Sequence, residues 1–451
     1  MAQEGDESDE GSIYGLEQEE EDGSSGYYDE CDIEDLSPRS LRRLQFNNPF
    51  YENLSITSNN WIEGTGIAIR NHSAKLQGLI VDCDRHYEKN HWLLECCLGI
   101  SHNRSLQSLS LYSYLPDLDL FQILTPFFKH NNNFRSLEIT DFYSERSLTS
   151  LCLAMSHCNK DNWLKEIKLE SVNHRRDEDV GALFDLIVEN FCSLSTLRFR
   201  RIYLERIGCI SFANLLHNPV SKIKDLQLGQ NRFDAECMMI LRDALITNSS
   251  LETISVYGHP TFATVDAWRI FCTIFAHEMC TIKELYIGAT VIFTGGATIL
   301  GSALAANTSL IYMQIVQDDA ITAAGWQGLS TCIDNLYSNI LPRILSDKTS
   351  IDNTHSSNHT LCKITPISPP FEKDIRRLLE MNKNKDKVKV ARQKILQQHF
   401  SEGNANIPVF ATMPETSLPF AIAWIGRNKD GRTLMYNFAQ AFPSLLDIGH
   451  K

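Results

Sequence analysis

Along most of the chain, large apolar residues return in one spacing, L-x-x-L-x-L. The instances are Tyr51/Leu54/Ile56, Leu76/Leu79/Val81, Leu106/Leu109/Leu111, Phe134/Leu137/Ile139, Leu164/Ile167/Leu169, Leu194/Leu197/Phe199, Ile223/Leu226/Leu228, Leu251/Ile254/Val256, Ile282/Leu285/Ile287 and Leu310/Met313/Ile315. Their first positions lie 25, 30, 28, 30, 30, 29, 28, 31 and 28 residues apart. The last apolar pair of each motif sits two apart, the period of a short strand with one buried face. Between motifs, apolar groups fall at helical spacing: Phe121, Leu124, Phe128; Leu183, Ile187; Phe212, Leu215, Leu216; Leu241, Leu245; Phe271, Ile274, Phe275; Leu300, Leu304; Trp326, Leu329, Ile333. Each unit therefore reads as strand, turn, helix and return turn. Alone, such a unit cannot bury its apolar faces; stacked units share one core. Parallel strands require helical crossovers of this length, and ten strands at roughly 4.8 Å spacing span roughly 43 Å. Helices are wider than strands, so the stack should bend with its sheet inside.

The unit beginning at Ile282, IKELYIGATVIFTGGATILGSALAANTSL, shows the pattern most cleanly. It resembles a leucine-rich repeat of the ribonuclease-inhibitor type, whose long units pair a strand with a true α-helix. Gly295, Gly296 and Ala297 match that family's turn into the helix, and Ala303 to Asn307 match its end. Gln230-Asn231-Arg232-Phe233 resembles its asparagine step, which most other units lack. Together with S-N-H-T-L, K-I-L-Q-Q-H-F and P-F-A-I-A-W-I-G further on, the array also resembles leucine-rich-repeat proteins expanded in diatoms, over roughly residues 50–446. That second resemblance implies an architecture and no mechanism.

The resemblance and the periodicity predict an α/β leucine-rich-repeat solenoid, a horseshoe with a parallel inner sheet, outer helices and a helical C-terminal cap. Residues 1–36 read as a disordered acidic tail, 37–337 as about ten repeats, and 338–360 as a polar surface loop. Residues 361–451 read as a last repeat remnant, with Leu361 and Ile364, followed by the cap. Within the cap, 371–400 predicts one or two helices whose apolar positions Ile375, Leu378, Leu379, Val388, Ala391, Ile395 and Leu396 face one way. The N-x-S/T-L recurrence at Asn103, Asn248, Asn307 and Asn358 is read structurally, with Asn ending each helix in a left-handed conformation.

Charge sharpens this division. The net charge is -14, but residues 1–35 hold fifteen acidic and no basic side chains, which leaves the rest at +1. Such a body argues against a basic nucleic-acid-binding surface. The 371–400 segment carries nine Lys or Arg (Lys394 among them) against four acids, and is read as a solvated outer face. No aromatic residues interleave with its charges as single-strand binding would require. The chain opens without a basic or apolar leader, and no run of 18 apolar residues suggests a membrane span. Thirteen cysteines without a CxxC pair fit a reducing compartment, and the expected location is cytoplasmic or nuclear.

Enzyme signatures are fragmentary. His277-Glu278 lacks the second histidine of a zinc motif, and Gly64-Thr65-Gly66 lacks the third glycine of a dinucleotide fingerprint. His399, Glu402 and Asp430 have no spacing that recommends catalysis. We expect no catalytic residues, cofactor or metal. In each motif the leucines face the core, so the intervening positions face the concavity. There the sequence places Tyr112, Glu138, Lys168, Arg198, Arg200, Gln227, Tyr257, Tyr286 and Tyr312. Lys168, Arg198 and Arg200 form a basic spot, and the three C-terminal tyrosines a run. Tyr and Arg are favoured anchors of protein interfaces. The expected function is a non-enzymatic scaffold holding a protein, of unspecified identity, on this face. Regulation of an enzyme, by inhibition or GTPase activation, is the alternative.

Overall fold

The structure is a computed structural model, and it describes residues 53–57, 65–71, 76–83, 91–113, 120–142, 146–158, 164–172, 176–257, 264–288, 296–316, 335–365 and 372–399. Eleven strands form one sheet in strict chain order, every neighbouring pair parallel. They are β1 (Asn53–Thr57), β2 (Gly78–Cys83), β3 (Ser108–Ser113), β4 (Ser136–Thr140), β5 (Glu166–Glu170), β6 (Thr196–Arg200), β7 (Asp225–Gln227), β8 (Thr253–Val256), β9 (Glu284–Gly288), β10 (Tyr312–Val316) and β11 (Lys363–Thr365). The helices between them are α1 (Thr65–Asn71), α2 (His91–Ser101), α3 (Leu120–His130), α4 (Ser147–Met155), α5 (Asp177–Asn190), α6 (Arg206–His217), α7 (Ala235–Thr247), α8 (Val265–Ala276) and α9 (Gly296–Ala306). Successive helices pack side by side over one face of the sheet. This is a leucine-rich-repeat solenoid.

Register explains why the repeat spacing is so regular. Leu79, Leu109, Leu137, Ile167, Leu197, Leu226, Ile254, Leu285, Met313 and Ile364 stand directly opposite one another from strand to strand. All ten are buried, and so are the motif's leading residues from Leu76 to Leu361. Each such side chain contributes roughly 1.5–3 kcal/mol when removed from water. Helix residues complete the core: Phe184 of α5 stacks on Phe212 of α6 at 4.7 Å between ring centres and meets Phe199 of β6 edge-on. The predicted helix positions Trp326, Leu329 and Ile333 lie outside the described residues.

Asparagines tie one unit to the next, by a route different from the one predicted. Asn248 follows α7 with φ -69° and ψ 123°, an extended rather than left-handed conformation. Its Oδ1 accepts from the backbone N–H groups of Ser250 and Leu251, which turns the chain into β8. Asn103, Asn307 and Asn358 repeat the arrangement. The side chain itself satisfies the turn's donors, so no left-handed residue is needed. Left-handed backbone occurs instead just after the strands, at Asp141, Ser171, Arg201 and Gln230. Asn231, the predicted asparagine step, accepts from Ile202 N–H and donates to Phe199 O of the preceding unit.

Residues 338–360 are not a loop. A π turn (Leu336–Ile340) leads into α10 (Leu341–Leu345), and α11 (Ile351–His355) follows, its start capped by Ser350. Leu341, Leu345, Ile351 and Thr354 are buried, so the few apolar residues in this polar stretch suffice to dock it. Among the described residues, the cap holds two helices, α12 (Glu372–Asn382) and α13 (Lys387–His399). Ile375, Leu378 and Leu379 face the core as expected, but Val388 is exposed, and the buried stripe of α13 runs through Val390, Ala391 and Lys394. The boundaries drawn at 1–36 and beyond residue 399 fall outside the described residues.

Candidate protein-binding face

Because strand side chains alternate, the positions between the buried leucines form rows across the opposite face of the sheet. One row reads Ser110, Glu138, Lys168, Arg198, Gln227, Ser255, Tyr286, Gln314, Thr365. A second, toward the strand ends, brings Tyr112, Thr140, Glu170 and Arg200 into line. A third, at the strand starts, holds Ser136, Glu166, Thr196, Asp225, Thr253, Glu284 and Tyr312. These side chains are mostly half-buried by their neighbours.

The nine predicted residues do fall on this one face, but not as two separate features. The expected basic spot is a lattice of alternating charge. Lys168 pairs with Glu166 at 3.4 Å, and Arg198 lies between Glu166 (3.8 Å) and Asp225 (3.7 Å). Arg200 pairs with Glu170 at 3.2 Å, and Arg201 reaches the same carboxylate at 3.9 Å. Burial pushes the carboxyls of Glu170 and Asp225 up, against the opposing pull of Arg200 and Arg201 on the first and Arg198 on the second. The Nε atoms of Arg198 and Arg200, and Oδ1 of Asp225, are buried without a hydrogen-bond partner among the described residues. The lattice is thus paired in charge yet incompletely satisfied in hydrogen bonds.

Asp225 and Arg201 escaped the sequence reading. Alternation along β7 could have revealed Asp225, two residues before Gln227. Arg201 has no such signal, because it enters the cluster only through the left-handed turn that follows β6 (φ 57°).

The tyrosines form a diagonal, not a row. Tyr257, just past β8, donates to Gln227 Oε1 at 3.2 Å. Tyr286 sits mid-strand, and Tyr312 at the start of β10 meets it edge-on, 5.5 Å between ring centres. Lys363 Nζ lies 4.7 Å over the Tyr312 ring, a cation–π contact. Tyr312 also bonds Gln314 and Thr365 through its hydroxyl. At the other end of the face, Glu138 accepts from Tyr112 OH (2.9 Å) and Ser110 Oγ (3.1 Å). Each of these aromatic side chains is thereby tied to a neighbour by a hydrogen bond or a ring contact.

An open cleft of about 420 Å3 lies where α6 and α7 begin, lined by Tyr203, Arg206, Asn231, Arg232, Asp234 and Cys237 among others. Asp234 is occupied in capping α7, and the Asn231 carboxamide bridges two units. Among the described residues no group of three His, Cys, Asp or Glu side chains could hold a metal ion. Nor is any described helix long and apolar enough to cross a membrane. His399 is buried against Thr354; Glu402 and Asp430 lie outside the described residues.

No protein-family model matches the chain, and no curated protein matches it. Among solved structures, the leucine-rich repeat-containing protein LegL7 from Legionella pneumophila is similar. That likeness covers 67% of this chain and 95% of that one, at 13% identity and a TM-score of 0.39.

Proposed function

We propose that this protein is a non-enzymatic scaffold that binds another protein on the open face of its sheet, with Tyr112, Glu138, Lys168, Arg198, Arg200, Gln227, Tyr257, Tyr286 and Tyr312 in the contact surface. The observation that carries this reading is the register itself. It sets Arg and Tyr side chains at fixed spacing on the sheet, where ion pairs tie the arginines to Glu166, Asp225 and Glu170 and hydrogen bonds tie the tyrosines to Glu, Gln and Thr neighbours. Arg and Tyr offer large contact areas, and pre-ordered side chains bind at smaller entropic cost. We further infer that the array is of the ribonuclease-inhibitor type and resembles the diatom repeat proteins, since its units pair each strand with an α-helix. A reducing setting, cytoplasmic or nuclear, suits the eight thiols buried among the described residues.

The test compares proteins captured by the wild-type chain with those captured by a variant carrying Arg198→Glu, Tyr286→Ala and Tyr312→Ala. A control carries Met239→Ala and Asp243→Ala on exposed positions of α7. We expect the open-face variant to lose a captured partner's affinity at least tenfold, roughly 1.4 kcal/mol or more, while the control retains it. Equal retention by both variants would overturn the assignment of the face.

A further inference from the structure

Lys394 of α13 is fully buried, yet among the described residues it has no carboxylate partner. Its Nζ donates to Leu345 O at 2.5 Å and to Asn358 O at 2.8 Å, and faces His359 Nδ1 at 3.1 Å. The tautomer of His359 follows from its other nitrogen. Nε2 lies 2.9 Å from the carbonyl oxygen of His355, which can only accept, so Nε2 carries the hydrogen. Nδ1 of the neutral ring then offers a lone pair to Lys394. The ammonium's three N–H bonds are all filled, each by a neutral acceptor. A second proton on the half-buried imidazole would set two cations 3.1 Å apart, one of them, Lys394, shut off from water.

We propose that Lys394 and His359 form a proton-linked latch that fastens α13 to α10 and α11, gripping more firmly as protons leave and releasing the C-terminal helix pair as they are taken up. The reasoning is independent of what the open sheet face binds. An ammonium buried without a counter-ion keeps its hydrogen bonds but forfeits hydration, which favours the neutral amine. The neutral amine keeps two N–H bonds for Leu345 O and Asn358 O and gives up only its hydrogen bond to His359 Nδ1, the longest of the three. Burial, with a smaller push from Lys387, brings Lys394 down to about 7, while Cys362 acts weakly the other way. Burial and then the Lys394 charge bring His359 down to about 4, with His355 and Lys387 pushing in the same direction.

Other titratable groups around the latch are few. Cys362 beside β11 has Lys383, Lys387 and Glu380 within electrostatic reach. On α13 itself, His399 Nε2 lies 2.7 Å from Thr354 Oγ1 of α11 and is lowered by burial, against an opposing pull from Asp347. Asn358 links the latch to the array, since its Nδ2 donates to Leu304 O of α9 while its backbone oxygen also accepts from Asn382 Nδ2 at the end of α12. Release of the pair would therefore loosen the cover over Leu361 and Ile364, which share its core cluster.

Both basic groups have folded values below their unfolded ones, so their contribution is present at high pH and is lost on acidification. For Lys394 the loss runs from about 10.5 down to about 7. For His359 it runs from about 6.5 to about 4. Hydrogen exchange of the full chain, corrected for intrinsic rates and read on α13 against α6, measures this. Between pH 7 and 9.5, α13 protection should rise about tenfold per pH unit, the slope of a single proton. Lys394→Met, uncharged and of similar length, should remove the slope. An α13 that follows α6 throughout, or the same slope in both proteins, would overturn the latch. Should the variant not fold, NMR titration of the Lys394 side chain in the wild type decides. A midpoint near 7 supports the latch; titration together with the surface lysines refutes it.

Discussion

The carboxamide of Asn248 donates to the carbonyl oxygen of Leu216, 2.7 Å away and one repeat earlier. The same side chain accepts from two backbone donors ahead of it and from Ser250 Oγ at 3.1 Å. Truncation to Ala would leave these groups buried and unpaired, at about 1–3 kcal/mol for an unsatisfied group. Asn248→Ala should therefore destabilise the array by about 3 kcal/mol in chemical denaturation. Asn248→Gly should be no milder, because the backbone there is extended. A glycine variant close to wild type would mean that conformation, not hydrogen bonding, is what the position requires.

Adjacent residues of β5 should behave oppositely. Ile167 is buried in the central row, and Ile167→Ala should cost about 2–5 kcal/mol through lost contacts and a cavity. Lys168 points to the open face, and Lys168→Ala should change stability by about 0.5 kcal/mol or less. Equal effects on the denaturation midpoint would contradict the register.

Acid should favour the charge lattice slightly. Burial raises the Glu170 carboxyl above its unfolded value, so its contribution is full below the ordinary carboxylate range and fades as pH rises through the folded value. Glu170→Gln cannot titrate. The variant should match wild type near pH 4 and exceed it by under about 1 kcal/mol at pH 7, the scale of half-exposed charge pairs. A variant less stable at pH 7 than at pH 4, relative to wild type, would show that the ion pairs with Arg200 and Arg201 outweigh burial.

Thiol reactivity should map the core. Burial pushes Cys97 and Cys152 up to about 12 and holds Cys272 well above its ordinary range, and a protonated buried thiol is a poor nucleophile. Cys192 is exposed. Brief alkylation at pH 8 followed by mass spectrometry should label Cys192 first among the described cysteines, with Cys97 and Cys272 reacting only after denaturation. Early labelling of Cys97 would place α2 away from the core.

The strands and their facing were legible because one physical demand, burial of two residues per strand in register with the next unit, repeats ten times. What lay hidden depended on partners distant in sequence. Lys394 looks like one more cation in a basic helix until Leu345, Asn358 and His359 supply its acceptors. Val388 looks like core until that lysine takes the buried stripe. The asparagines were recognised as structural, but the sequence carries their identity and not their backbone angles, so the turn they make was misread. On the candidate face, alternation located the rows. The parallel register sets Gln314, not Tyr312, opposite Tyr286, so the two rings meet across neighbouring rows, a contact the row positions alone do not give.

Photo-crosslinking tests the proposed binding face most directly. A photoreactive residue at Gln227, in the middle of the sheet face, is compared with one at Asp243 on α7, using a partner captured by the wild-type chain. Binding on the open face predicts a crosslinked product from position 227 and none from position 243. Crosslinking from 243 alone would place the partner on the helices and contradict the account.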